Sequence, residues 1–405
     1  MKDVHKALTI ALASRILIVA VMVISSFLFA YVTTANMNAS EMRMPFLGMF
    51  MRWDSAHYLA LAKNGYPLGY PNAATFPKMT GTGSPMPSKI ANHLWAFFPL
   101  YLAAMASLAR MSTPFLSLTF FNITPSLMLS GVIISNISFF ASAYFFYKLT
   151  QKLFNPRLAL IATAFYCFWI GGVFFSLIYT EALFMALALG AFYFLEENNL
   201  PAAVFLGFLG AFTRSDGFLI FIPFFIYGLQ QLGTQKRESF KLILSSVVVA
   251  SPYLLFNIAG YFLAGGVFPV QIIARESNWG TYPLLIHQFS AIYTPTLNFQ
   301  VFDILILALA LLPIGYFVFL TRKIFSEESK TLGYWVFCAS MVLVLFTNSV
   351  VSNIARYAVP MLPIYWVLAK VYTKNRLVGA LLFGVVSAML MIAAYLLETA
   401  NPYFM

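Results

Sequence analysis

Apolar runs of roughly 17 to 25 residues recur along this chain, and that length matches the hydrocarbon thickness of a bilayer. With 61% hydrophobic residues, 9% charged residues and 43 Phe in 405 positions, the composition is that of a membrane protein. The expectation is an all-α polytopic membrane protein forming a single integral domain over residues 1–405. Its first apolar run, 16–32, is longer than a signal-peptide core and no clear cleavage site comes after it, so it is expected to stay as an anchor. Cys167 and Cys338 sit inside apolar runs, where a thiol behaves as a small hydrophobe, and suggest neither a disulfide nor a metal site.

A net charge of +11 would suit a nucleic-acid partner, but its distribution argues otherwise. Lys and Arg gather in short connectors: Lys2 and Lys6; Lys148, Lys152 and Arg157; Lys236, Arg237 and Lys241; Arg322, Lys323 and Lys330; Lys370, Lys374 and Arg376. That is the bias of cytoplasmic loops in a bilayer protein, so no nucleic acid is expected. Placing these clusters on one side puts the N-terminus in the cytoplasm and residues 33–95 outside. The expected spans are 10–32, 126–147, 158–175, 177–195, 200–213, 216–232, 242–263, 301–321, 332–348, 354–369 and 377–397, about eleven in all. The run 96–108 is about two thirds of a span and is expected to lie outside or re-enter beside a site. Were it to cross, a second crossing before Lys148 would bring the total to about thirteen. The long run 159–195 is divided at 176–181, because Glu181 would be costly at the centre of a membrane helix.

This topology brings polar residues to the outer ends of the spans: Asp54 and His57, Glu181, Arg214 and Asp216, Asn353 and Arg356. Two outer loops, 33–95 and 264–300, are long enough to line or cover a site. Within the first, 46–62 has the spacing of an interfacial helix, and 65–87 is rich in Pro and Gly. On such a helix Asp54 shares a face with His57 and Tyr58, while Trp53 and Tyr58 suit headgroup depth. The island Arg52-Trp53-Asp54-Ser55-Ala56-His57-Tyr58 thus offers a carboxylate base at the water–membrane boundary; the bland alternative is an N-cap or ordinary surface helix.

Four motifs carry a family resemblance. They are Arg52 to Tyr58 with Ala62 and Gly65-Tyr66; Phe97-Phe98-Pro99-Leu100-Tyr101; Tyr179-Thr180-Glu181-Ala182-Leu183-Phe184; and Thr213-Arg214-Ser215-Asp216-Gly217. In this order they resemble the PIG-V family, the GPI mannosyltransferase 2 enzymes and their prokaryotic relatives. Asn353-Ile354-Ala355-Arg356-Tyr357 is a looser match. Two departures stand out: Leu102 where the family often has a second Pro, and Asp216 where eukaryotic members typically carry Asn.

The resemblance implies a GT-C type helical bundle that moves a sugar, expected to be mannose, from a polyprenyl phosphate to a hydroxyl on the outer or lumenal side, with inversion. The acceptor would be a glycolipid or glycan. The residues agree with that chemistry. Inversion by one displacement needs one base, and Asp54 suits it. The leaving phosphate gains charge, which guanidinium groups can take bidentately, so Arg214 and Arg356 are the candidate phosphate ligands, with Arg275 a third. Arg52, Trp53, Asp216 and Tyr357 complete the candidate donor and substrate site. Glu181 could orient the acceptor or pair with an arginine, and His57 could touch the sugar or simply pack.

Asp54, His57, His93 and Glu181 could in principle supply metal ligands, but their spacing fits no closed zinc pattern and a monophosphate donor carries little charge, so no metal or cofactor is expected. Of the aromatics, Trp53, Trp95 and Trp279 are candidate sugar platforms. A lipid or polyprenyl-phosphate-sugar flippase is the rival reading; the absence of an internal repeat argues against it. A prokaryotic plasma membrane, with the site facing outside, is the expected location, or the endoplasmic reticulum in a eukaryote.

Overall fold

The computed structural model describes residues 2–33, 45–52, 54–68, 93–116, 123–279, 331–346 and 354–398. Among them the regular structure is helical throughout, as the apolar periodicity predicts. The expected span 301–321, Asn353, Trp53 and most of the two outer loops lie outside the described residues, as do the side chains of Arg275 and Trp279.

Four described helices have the length and apolarity of a full membrane crossing: Asp3–Phe27, Ser126–Leu153, Lys236–Leu263 and Arg376–Tyr395. They belong to α1 (Lys2–Thr33), α5 (Ile123–Leu153), α10 (Lys236–Leu263) and α15 (Arg376–Glu398). Several of the other expected spans are shorter. The helix expected over 158–175 is α6, Pro156–Cys167, which at 12 residues rises about 18 Å, well short of a hydrocarbon core of about 30 Å. The chain then turns through a 3-10 segment, Ile170–Phe175, before entering α7, Glu181–Glu196. The break expected at 176–181 therefore opens earlier, at Phe168. The 216–232 span likewise divides into a 3-10 turn, Ser215–Ile220, and α9, Phe221–Gln231. The 354–369 span is split into α13, Ile354–Tyr357, and α14, Leu362–Lys374.

Local chemistry sets these boundaries. Asn155 caps α6 by accepting from Leu158 N at 2.9 Å, with Pro156 opening the helix; Asn199 does the same for α8 (Leu200–Ala211) through Ala202 N at 3.3 Å. Helix α5 runs through the centre, against α4 (Pro99–Leu116), α6 and α7, while α8, α9 and α10 pack on the far side of α7. Thus the run expected to stop near Leu108 continues to Leu116 and lies along α5. Helix α11 (Val270–Trp279) packs against the turn at His93–Ala96, and α12 (Leu332–Phe346) against α9. Exposed apolar side chains line the outward faces of the long helices: Ile16, Ile24 and Phe27 on α1, Phe240, Val247 and Phe262 on α10, Leu377 and Leu381 on α15. Rows of this kind suit hydrocarbon as the surrounding solvent.

Candidate active site

The segment expected to lie outside does not hold one helix over 46–62. A single turn, α2 (Pro45–Gly48), comes first, and then α3, Ser55–Asn64, which ends at Gly65 with φ +74°, a conformation that favours glycine. Asp54 therefore stands at the N-cap position, outside the helix that was expected to carry it, and its side chain makes no capping bond. The carboxylate is directed elsewhere.

Its mount is the break between α6 and α7. Ile178 N–H donates to Phe50 O at 3.0 Å, Ser55 Oγ donates to Ile178 O at 3.1 Å, and Asp54 N–H donates to the Tyr179 hydroxyl at 3.3 Å. Irregular backbone inside a membrane protein needs such partners, and here the two irregular segments satisfy one another. Below them Ser135 Oγ donates to Tyr179 O at 3.3 Å and shares a 2.9 Å bond with the Tyr101 hydroxyl. Tyr58, expected at headgroup depth, is 3% exposed instead, edge-on to Phe97, Tyr101 and Tyr179. Three aromatic neighbours make a better environment for its ring than the interface.

Arg214 and Asp216 reach the same place from the other side. The Thr213-Arg214-Ser215-Asp216-Gly217 turn folds back on the end of α8, where Thr213 Oγ1 donates to Gly210 O at 2.5 Å. A Cβ on Gly217 would sit 2.8 Å from that carbonyl and 3.0 Å from Ala211 Cα, so only glycine allows the approach.

The outcome is one continuous charged chain. Arg356 Nη1 donates to Asp54 Oδ2 at 2.6 Å, and Arg356 Nε bonds Glu181 Oε1. The same Glu181 oxygen accepts from Arg214 Nη1 at 3.0 Å, and Arg214 Nε donates to Asp216 Oδ1 at 2.6 Å. Three carboxylates face two guanidinium groups. Glu181 and Asp216 are buried, Arg214 and Arg356 nearly so, and Asp54 is the most open member, with 22% of its side chain exposed. Glu181 Oε2 is buried with no hydrogen-bond partner among the described residues. Aromatic faces close the chain in: Tyr179 lies 4.5 Å from the Arg356 guanidinium, and Tyr357 lies 5.5 Å from that of Arg214.

Of the expected site residues, Asp54, Glu181, Arg214, Asp216, Arg356 and Tyr357 are brought together. Each arginine expected to meet phosphate is held by two carboxylates, Arg356 by Asp54 and Glu181 and Arg214 by Glu181 and Asp216. Arg52 borders the group, its backbone N–H donating to Ser55 Oγ at 3.2 Å. His57 turns toward His93, with ring centroids 4.9 Å apart, and toward Phe97. Burial holds both imidazoles below the usual histidine range; Asp54 pulls His57 back up, while His57 pushes His93 further down. No cluster of three or more His, Cys, Asp or Glu able to hold a metal occurs among the described residues. Trp95, a candidate sugar platform, is 2% exposed, stacked on Tyr66 and donating to Pro67 O at 3.1 Å; it is a packing residue. Sequence reasoning gave no role to Tyr179 or Arg15. For Arg15 the clue was available: a cation within an apolar run.

A family model described as mannosyltransferase (PIG-V) matches residues 88–294, about half of the chain. The chain belongs to the PIG-V mannosyltransferase family. The PIG-V match contains Glu181, Arg214 and Asp216, while Asp54 and Arg356 flank it and are joined to it by the ion pairs. The chain is 28% identical to GPI mannosyltransferase 2 of Schizosaccharomyces pombe over 253 residues, covering 59% of this chain and 46% of that protein. It is also 28% identical to GPI mannosyltransferase 2 of Cryptococcus neoformans over 218 residues, covering 51% and 46%. The match to GPI alpha-1,6-mannosyltransferase 2 of Rattus norvegicus is 25% over 227 residues, covering 53% and 41%. The matched region spans less than half the length of these PIG-V relatives. Among solved structures, an apo Archaeoglobus fulgidus oligosaccharyltransferase aligns with TM-score 0.42 and 14% identity, over 96% of this chain and 56% of that one.

Proposed function

We propose that this PIG-V member is a membrane mannosyltransferase of the GT-C type that takes mannose from a polyprenyl phosphate donor and passes it, with inversion, to a hydroxyl of a glycolipid or glycan at the outer face of a prokaryotic plasma membrane. One observation supports this most: Asp54, the most open carboxylate of the charged chain, is tied through Arg356 and Glu181 to Arg214. A proton acceptor and two cationic groups thus share one small volume.

The acceptor oxygen attacks C1 of the mannosyl phosphate, the C1–O bond to phosphate breaks, and its electron pair leaves with the polyprenyl phosphate. The acceptor proton passes to Asp54. Arg356 occupies Oδ2, and no described residue bonds Oδ1, so Oδ1 is the oxygen that receives it. The phosphate goes from diester to monoester and gains negative charge, which the guanidinium groups of Arg356 and Arg214 offset as it develops. Since guanidinium serves that purpose, no metal is needed in this scheme. His57 and Arg52 belong to the rim where sugar and headgroup enter.

Purified protein in vesicles, given radiolabelled mannosyl polyprenyl phosphate and a lipid extract of its host, should release polyprenyl phosphate and move label into an acceptor fraction, with EDTA present or absent. Label that crosses the bilayer while remaining on its donor would identify a flippase and overturn the reading. Activity lost with EDTA and restored by Mn²⁺ would overturn its metal-free form.

A further inference from the structure

Arg15 lies inside α1, one of the long apolar helices, and is 4% exposed. It forms no ion pair with a carboxylate of the described residues. Its guanidinium donates to Gly172 O at 2.7 Å, to Ser176 Oγ at 3.0 Å and to Cys167 O at 3.3 Å, and lies over the Phe139 ring at 4.0 Å. A cation at the centre of a membrane helix costs about 2.5–3.5 kcal/mol even on insertion scales, so one that pairs with no described carboxylate calls for a reason.

Besides the neighbouring Ser14 Oγ, which accepts from its Nε at 3.3 Å, its three acceptors lie at one place in the chain and supply one. Cys167 ends α6, Gly172 sits in the 3-10 turn, and Ser176 comes directly after that turn, so Arg15 grips the break between α6 and α7 at three points. The backbone of such a break has carbonyls that no helix satisfies, and the planar fork of arginine can meet several at once. Beyond Ser176 the chain enters the segment on which Asp54 is mounted: Ile178 bonds Phe50 and Ser55, the Tyr179 hydroxyl accepts from Asp54 N–H, and Glu181 opens the next helix. One end of this segment is held by Arg15 and the other carries the base and the carboxylate that joins both site arginines.

We propose that Arg15 is a positioning residue for the transfer reaction, setting the placement of residues 176–181 and through them of Asp54 and Glu181, without touching substrate. Its kinetic consequence rests on the transferase reading; its structural consequence does not. Lysine at this position keeps the charge but offers a point donor that cannot span three acceptors, and Ser176→Ala removes one acceptor alone. Both Arg15→Lys and Ser176→Ala should lower kcat about tenfold or more, as expected when a reacting group is displaced by a fraction of an ångström to one ångström, with the donor KM within about twofold. A second arm needs no turnover. In a Cys167→Ala/Cys338→Ala background, Thr180→Cys places a thiol at a position 2% exposed, and adding Arg15→Lys should speed its reaction with a small maleimide about tenfold. Wild-type kcat in both folded variants overturns the proposal, as does a fall in Tm with kcat unchanged. An unchanged Thr180→Cys labelling rate overturns it as well. Should the parent protein show no transfer at all, the functional reading fails while the labelling arm still decides the role of Arg15.

Discussion

Arg356 and Asp54 are separated by 302 positions in the chain and joined by a 2.6 Å ion pair. The same guanidinium also bonds Glu181, which pairs in turn with Arg214, so it holds the proposed base in fixed relation to the second arginine. Arg356→Lys should fold, because the charge persists, yet lose at least about tenfold in kcat, since an ammonium cannot hold both carboxylates in a planar fork. Arg356→Gln leaves Asp54 and Glu181 without that partner and should destabilise the protein by about 3–5 kcal/mol. Transfer assays beside thermal melts in detergent separate the two effects; wild-type kcat in Arg356→Lys would show that the pair has no catalytic part.

The histidine pair predicts a pH dependence of stability. His57 and His93 are held below the usual range by burial, so the folded protein resists protonation that the unfolded chain accepts. In the window below about pH 6.5 the unfolded state binds more protons, and stability therefore rises with pH there. Tm should be flat above about pH 7, fall as pH drops through about 6, and level off once both states are protonated. His57→Gln/His93→Gln should flatten the profile. A double variant that keeps the full slope would assign it to other groups.

The basic connectors also predict sidedness, which can be read directly. Single cysteines at Thr82, Gly280 and Ser352, with Cys167 and Cys338 removed, should react with an impermeant maleimide on intact cells, and cysteines at Thr234 and Ser326 only after permeabilisation. Labelling at Ser326 in intact cells would contradict the proposed outward-facing site.

Much of the site is legible in the sequence because charge inside an apolar chain is costly. Asp54, Glu181, Arg214, Asp216 and Arg356 stand out for that reason, and the structure places them in one chain of ion pairs. Their partnership is harder to read. Nothing in spacing shows that one Glu181 oxygen serves two arginines, or that Asp54 precedes its helix, because both depend on the fold of the break at 168–180. Apolar length alone overestimates a helix where the backbone turns without a polar residue to announce it. Phe168 through Phe175 is apolar, yet the chain turns there, and Arg15, far away in sequence, donates to Gly172 O within the turn and to Cys167 O just before it. Residue type alone offers Trp95 as a sugar platform and Tyr58 as a headgroup anchor, whereas both lie buried among other aromatics.

The central claim is that Asp54 takes the acceptor proton, and Asp54→Asn tests it most directly. The amide keeps the size of the side chain and removes its basicity, so the variant should insert, melt within a few degrees of wild type and bind mannosyl polyprenyl phosphate. In single-turnover transfer of radiolabelled mannose it should lose about 10²-fold or more in rate, the usual contribution of a positioned general base. Transfer by a folded, donor-saturated Asp54→Asn at more than about a tenth of the wild-type rate would contradict the assignment.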